Sequence, residues 1–436
     1  MALDISKRVY SSEVQQKKEG AEVIVGGWAA EVKSLGKIAF IKLRDRAGVL
    51  QLVSTNSKLV DKIAKVTHES VLIAKGKIQA SKAKAGGKEL QLEDFEVLSE
   101  ADPRLPIDMS GKIATDLSKR LDWRVLDLRH QKNAAVFKIR SVINHAIRNF
   151  LIAHNFTEIQ TPKLVGAGAE GGATLFPVVY YDKKAYLSQS QQLYKQMMLS
   201  AGLDRVFEIG PNFRAEESHT TRHLAEFTQL DFEMAWIKDE EDVLQTLEKL
   251  FVFVIGELEK YARPELNLLK VELEAPKLPF PRITYEEALK LLGKEGSKLK
   301  FGDDIGTDEE KKLGGIVKEK YKTDAYFITK YPWSQKPFYI MKDGTKLSRG
   351  FDFEYKGEEM SSGGQREHRI EVLEKQMKEK NLKAKDFDFY LAAFKYGMPA
   401  HGGFGMGIDR LVKNILGLDN IREAVLFPRD PQRLTP

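Results

Sequence analysis

Two prolines within five residues, Asp102-Pro103-Arg104-Leu105-Pro106, interrupt the chain where its texture changes, and this break constrains the fold most. Proline has a fixed φ and no amide proton, so regular structure does not run through such a segment. Before the break, β-rich runs at 21–25, 38–43, 49–53 and 70–74 and near 89–98 are separated by Gly-containing turns. Asp45-Arg46-Ala47-Gly48 reads as a hairpin turn, and 57–66 as a helix between the third and fourth strands. Five short strands in this order fit a small Greek-key barrel of the OB type. After the break, Val136 to His154 places apolar residues at helical spacing, with Asn155 as a stop. Strands, loops and helices then alternate to the end. The expected organisation is a barrel over 1–103, a linker over 104–130 and a larger domain over 131–436, with a small, charged helical insertion around 284–330.

Charge follows the same division. Residues 1–90 carry 17 Lys+Arg against 9 Asp+Glu, an excess of +8 in a chain whose total is +6. A basic barrel suits a polyanion, although a solvated Lys-rich surface gives the same sum. The chain has no cysteine, which excludes disulfides, Cys-ligated metals and thiol nucleophiles. No run approaches a membrane span and the N-terminus has no signal-like apolar stretch, so a cytoplasmic location is expected.

Three segments carry chemistry. In the first, Arg205–Arg214 and Leu224–Met234 read as strands flanking the polar loop Glu216-Glu217-Ser218-His219-Thr220-Thr221-Arg222-His223. Arg214, Arg222 and His223 suit phosphates, Glu216 an adenine amine and Phe227 a stacked base. A surface hairpin with ordinary ion pairs fits as well. The second segment is Gly350–Ser362. With Lys356-Gly357 as a two-residue turn, Glu354 opposes Glu359, and Asp352, Glu354 and Glu359 share one face. Crowded carboxylates ask for a cation, and Mg²⁺ bridging nucleotide phosphates answers that need; an exposed acidic strand is the other reading. Arg366, just beyond Gly363-Gly364, could fork onto a carboxylate. The third is Gly402–Val412, a glycine-rich strand leading into a helix with Arg410 in its early turns.

These segments together resemble the class II aminoacyl-tRNA synthetases of the Asp/Asn/Lys subgroup, most closely the archaeal-type aspartyl enzymes. Thr161-Pro162 resembles their motif 1, Phe213-Arg214-Ala215-Glu216 through Glu233-Met234 motif 2, and Gly405-Met406-Gly407-Ile408-Asp409-Arg410 motif 3. The likeness runs from the barrel to the tail Phe427–Pro436. It implies an α+β fold, an OB-type anticodon-binding barrel joined to a class II catalytic domain in which helices flank an antiparallel sheet. It implies homodimerisation with Pro162 at the interface.

The resemblance also implies roles. Arg214 would hold the α-phosphate and the amino-acid carboxylate region, Arg366 would join Lys195 as a cation for the aspartate side chain, and the two arginines form the catalytic pair. Glu216, Arg222, His223, Leu224, Phe227, Glu359 and Arg410 would complete an ATP site, with Phe227 and Arg410 sandwiching the adenine. Asp352, Glu359 and Ser362 would bind Mg²⁺. Lys195, Arg366, Asp231, Ser362, Glu170 and Gln192 would form the amino-acid site. A lysine at 195 with Asp at 231 suits a carboxylate side chain and therefore L-aspartate; the related asparagine site lacks that lysine. Two positions depart from the family pattern: Gln191 stands where a proline is usual, and Asp409 where Glu is usual. On the barrel, Phe40 and Gln51 would read the central anticodon base, and Lys82 and Gln91 belong to the reading of the third. Ala30 stands where strictly discriminating archaeal enzymes tend to be aromatic, Lys82 matches them and Gln91 stands where Glu is frequent, which leaves the range open between tRNA-Asp alone and tRNA-Asp with tRNA-Asn. A catalytically dead paralogue would be expected to lack some of Arg214, Glu359, Arg366 or Arg410, and all four are present.

Overall fold

The computed structural model describes residues 3–81, 86–166, 174–215 and 220–436, which form two compact units, 1–131 and 132–436. Lys82, Glu170 and Glu216 lie outside the described residues.

The first unit is a closed five-stranded barrel of β1 (Glu22–Leu35), β2 (Ile38–Asp45), β3 (Gly48–Ser54), β4 (Val71–Ala80) and β5 (Lys88–Ser99). Their order is β1-β2-β3-β5-β4, and a β1–β4 pairing closes the ring. Alternation turns Ala39, Ile41 and Leu43 of β2 and Leu50 and Leu52 of β3 inward. Helix α1 (Ser57–Ile63) lies between β3 and β4 and is capped by Asn56, whose side chain accepts from the Lys58 and Leu59 amides. Gly26-Gly27 lies inside a strand, because β1 runs through it. A Cβ on Gly27 would lie 2.2 Å from the Arg44 carbonyl oxygen, so glycine permits a close strand approach. Residues 104–130 carry two short helices, Leu117–Asp122 and Arg124–Asp127, and Arg129 donates to Glu69 of the barrel at 2.9 Å.

The second unit is built on an eight-stranded mixed sheet. Its strands are β6 (Thr157–Glu158), β7 (Arg205–Phe213), β8 (Glu226–Ala235), β9 (Arg282–Thr284), β10 (Ala325–Thr329), β11 (Gly350–Tyr355), β12 (Glu359–Gln365) and β13 (His401–Gly407). They lie in the order β9-β10-β11-β12-β13-β8-β7-β6. The segment 284–330 is therefore only partly helical: two helices precede β10, a member of this sheet.

Period-2 alternation sorts the sheet by chemistry. Phe207, Leu230, Phe232, Met234, Phe351, Phe353, Phe404 and Met406 belong to one apolar core, shared with helix α2 (Gln131–Ala153) and helix α4 (Glu240–Tyr261). The alternate positions, including Glu208, Asp231, Glu233, Asp352 and Glu354, fall on the opposite face. Asn155 takes φ +64°, ending the turn after α2 as a left-handed residue. Helix α3 (Gln192–Ser200) follows Gln191, helices α5 (Tyr285–Lys294) and α6 (Thr307–Tyr321) precede β10, and helix α7 (Ile408–Leu416) follows β13. Among the described residues no helix is long and apolar enough to cross a membrane.

Candidate active site

The polar face of the sheet forms the floor of a cavity of about 290 Å³. Arg214, Arg222, His223, Leu224 and Phe227 reach it from the β7–β8 hairpin. Glu359, Ser362 and Arg366 reach it from β12 and the residue after it, and Arg410 from the first turn of α7. Gln192 and Asp231 complete the wall. Of the residues proposed from sequence for ATP and the amino acid, only Lys195 and Asp352 among those described lie behind this wall.

Two buried ion pairs sit at the floor. Arg366 forks onto Glu233, with Nε to Oε1 at 2.8 Å and Nη2 to Oε2 at 3.1 Å. Nη1 has no hydrogen-bond partner among the described residues. Burial opposes ionisation of Glu233, but Arg366 and Lys195 hold its carboxyl below the usual carboxylate range. Lys195 Nζ donates to Asp231 Oδ1 at 2.8 Å and to the Phe404 carbonyl at 3.0 Å, and lies 3.4 Å from Glu233 Oε2. Burial pushes the Asp231 carboxyl above its usual range, against the pull of Lys195. The glycines of β13 make this crossing of side chains possible. A Cβ on Gly403 would lie 2.3 Å from Glu233 Oε2, and one on Gly405 2.2 Å from Gln229 Nε2.

A neutral network backs Gln192. His401 Nδ1–H donates to the Pro399 carbonyl at 2.8 Å, so Nε2 accepts from Gln196 at 2.9 Å. Gln196 Oε1 in turn accepts from Gln192 Nε2 and from the Tyr390 hydroxyl. That order leaves Gln192 Oε1 as an acceptor facing Arg366 at 3.4 Å. Burial drops the His401 imidazole to about 4. Its pKa is lower folded than unfolded, so between about 6.5 and 4 the unfolded chain takes a proton that the folded chain does not. Stability is expected to fall by about 1.4 kcal/mol per pH unit through that window. Thermal unfolding across pH, compared with His401→Gln, isolates this contribution; parallel profiles for the two proteins would refute it.

The acidic hairpin keeps the expected Glu354–Glu359 pairing, but the register shifts by one at Phe353, so Asp352 pairs with Ser362 where a regular ladder would give Ser361. Its cation partners were not foreseen. Lys336 Nζ donates to both Asp352 oxygens at 2.8 and 3.0 Å, its stem lying over Gly350, where a Cβ would come within 3.1 Å. Arg410 donates to the Glu359 carbonyl at 2.8 Å and stands 3.8 Å from its carboxylate. Burial and the neighbouring carboxylates still raise the Glu359 and Glu354 carboxyls, and Glu354 Oε2 is buried with no partner among the described residues. No three acidic or imidazole groups among the described residues converge as a dedicated metal cage. This donor set suits Mg²⁺ that arrives with phosphate oxygens and water, for which one or two carboxylates suffice.

The loop cations differ in availability. Arg214 stacks its guanidinium 5.2 Å from the Phe227 ring centroid and has no carboxylate partner among the described residues. Arg222 is engaged by Glu358 at 3.1 Å and by Glu310 of α6 at 2.7 Å. Asp409, the shorter residue at the motif 3 position, is buried, accepts from the Thr228 amide at 2.8 Å and pairs with Arg140. Pro162 is exposed and away from the cavity.

On the barrel, Phe40, Gln51 and Gln91 share the outward face: Gln51 pairs with Lys42, and Gln91 with Val53. Sequence reading missed Glu89 beneath them. It accepts from Gln51 at 2.7 Å, Gln79 at 2.9 Å and Ser81 at 3.1 Å. Its spacing of two from Gln91 was the available signal.

Comparison with known proteins agrees with both units. Residues 23–98 match the OB-fold nucleic acid binding domain of anticodon type, and 116–431 match the tRNA synthetases class II (D, K and N). An aspartate–tRNA(Asp) ligase of Pyrococcus furiosus is 48% identical over 433 residues, 98% of this chain and 99% of that protein. An aspartate–tRNA(Asp/Asn) ligase of Methanopyrus kandleri is 47% identical over 434 residues, 99% of this chain and 100% of that protein. The asparaginyl-tRNA synthetase of Pyrococcus horikoshii, solved with asparaginyl-adenylate, superposes with a TM-score of 0.92 at 34% identity, covering 98% and 99% of the two chains. A basic OB barrel and a cleft of this type define an ATP-using enzyme of the aminoacyl-tRNA synthetase class. The chain belongs to the class II tRNA synthetase family that handles Asp, Lys and Asn.

Proposed function

We propose that the chain is an aspartate–tRNA ligase. The observation that carries this reading is the buried Lys195–Asp231 pair beside Arg366 at the cavity floor. A lysine there favours a carboxylate side chain over an amide, whose N–H₂ would meet another donor. The longest of the three Lys195 contacts, to Glu233 at 3.4 Å, is the one a substrate carboxylate would replace. Arg366 Nη1 would share the side-chain carboxylate with Lys195, and Gln192 Oε1 would take the ammonium. Phe227 and Arg410 would enclose the adenine, while Arg214 meets the α-phosphate. Asp352, Glu359 and Ser362 would hold Mg²⁺ against the phosphates, where the ion neutralises charge developing on pyrophosphate.

The substrate carboxylate then attacks the α-phosphorus in line, and pyrophosphate leaves. The terminal 3′-hydroxyl of tRNA next attacks the aspartyl-adenylate carbonyl and AMP leaves. No side chain among the described residues of the cavity is placed as a general base, so orientation and fixed charge supply most of the acceleration. Aspartate-dependent ATP–pyrophosphate exchange tests the reading; exchange with asparagine or lysine but not aspartate would overturn it.

The tRNA reading covers tRNA-Asp and extends to tRNA-Asn. Ala30 supports the extension: it is a small residue at an irregularity of β1, between Ala29 and Glu31, where strictly discriminating relatives of this type tend to be aromatic. Charging of tRNA-Asp but not tRNA-Asn transcripts would remove the extension. The exposed Pro162 supports a homodimer, to be read by light scattering of the purified protein.

A further inference from the structure

Glu208 and Asp231 are direct partners across β7 and β8, and both are buried. Like charges in that relation repel, and in a buried setting they need donors between them. Glu208 has its own set: Lys163 Nζ on Oε1, and the Thr161 amide and hydroxyl on Oε2 at 3.1 and 2.7 Å. Asp231 Oδ1 is taken by Lys195. Oδ2 is met by Gln191, whose side chain is fully buried. The amide orientation that satisfies both of its ends puts nitrogen 2.5 Å from Asp231 Oδ2 and 3.0 Å from Asn212 Oδ1, with oxygen accepting from Lys163 at 3.2 Å.

Gln191 touches the other member of the pair as well. Its backbone carbonyl accepts from the Lys195 amide at 3.0 Å at the start of α3. The strand opposite is bare where these side chains cross: a Cβ on Gly210 would lie 2.7 Å from Glu208 Oε1 and 3.3 Å from the Gln191 amide. The glutamine amide thus bonds Asp231 directly, reaches Asn212 beside it, and touches Glu208 through Lys163.

We propose that Gln191 is a positioning residue for substrate side-chain selection, fixing the Asp231 carboxylate so that Lys195 is presented to the side-chain carboxylate of aspartate. Gln191 does not line the cavity. The effect should therefore fall on the amino acid and not on the nucleotide. The inference rests on the aspartate reading above.

The test is Gln191→Met, which keeps the length of the side chain and removes its donors. Losing a hydrogen bond to a charged group is expected to raise KM for aspartate roughly tenfold. In the same variant kcat and KM for ATP should stay within about twofold, and the preference for aspartate over asparagine should fall in proportion to the aspartate KM. Gln191→Glu keeps the shape but sets a third carboxylate against Asp231, and a larger rise is expected from it. An unchanged aspartate KM in either variant, or aspartate and ATP constants that shift together as general disruption would produce, overturns the inference. If the unmodified protein shows no aspartate-dependent exchange, the functional reading fails instead, and the two failures are distinguishable.

Discussion

Arg214→Ala is expected to abolish aspartate-dependent ATP–pyrophosphate exchange while tRNA binding survives. Arg214 reaches the cavity from the β7–β8 hairpin, lies against Phe227 and has no carboxylate among the described residues to neutralise it. Its charge is thus available to a phosphoryl group, where a preorganised donor gains most as negative charge develops. The expected loss is on the order of 10³-fold in kcat/KM. The side chain is only partly buried and supports no other ion pair among the described residues, so the fold should tolerate its removal. Retained exchange in the variant would sink the assignment of the cavity. Filter binding of labelled tRNA would show whether the barrel still works.

Lys195→Met should produce a different pattern. The ammonium is buried among Asp231, Glu233 and the Phe404 carbonyl, so its loss leaves Asp231 without a cation while Glu233 keeps Arg366. Breaking one side of a buried pair costs about 3–5 kcal/mol, and thermal unfolding should register that loss. Aspartate activation should fall by roughly 10²-fold or more as the carboxylate loses its partner. The double variant Lys195→Met with Asp231→Asn removes the stranded charge. Stability is expected to recover, while preference for aspartate over asparagine is not. Recovery of that preference together with stability would mean that the pair is only structural.

Much of this site can be read from the chain because it is arranged along strands. The register around Lys356-Gly357 follows from a turn and a period of two, and it placed Glu354 opposite Glu359. The Lys195–Asp231 pairing was likewise foreseen. What escaped were partners whose pairing no local pattern encodes. Lys336 meets Asp352 from a loop between Tyr331 and Lys342, Glu233 takes Arg366 from 133 residues away, and Glu310 takes Arg222 from 88 away. Such contacts depend on which loops the sheet order brings together. Gly26-Gly27 shows the same limit: glycine signals a turn or a close approach equally well, and only the neighbouring strand decides.

The sheet of the second unit has a further consequence for how this chain can vary. On β8 the residues alternate between aromatic or aliphatic core and charged floor, so Leu230, Asp231, Phe232 and Glu233 follow one another on opposite faces. Shifting that strand by one position would drive two carboxylates into the packed interior and expose the aromatic side chains to the ligand. A single-residue insertion or deletion there has no intermediate outcome in which the protein folds but works poorly. Loss of catalysis and loss of structure would arrive together, and the reading frame of this strand is held by both at once.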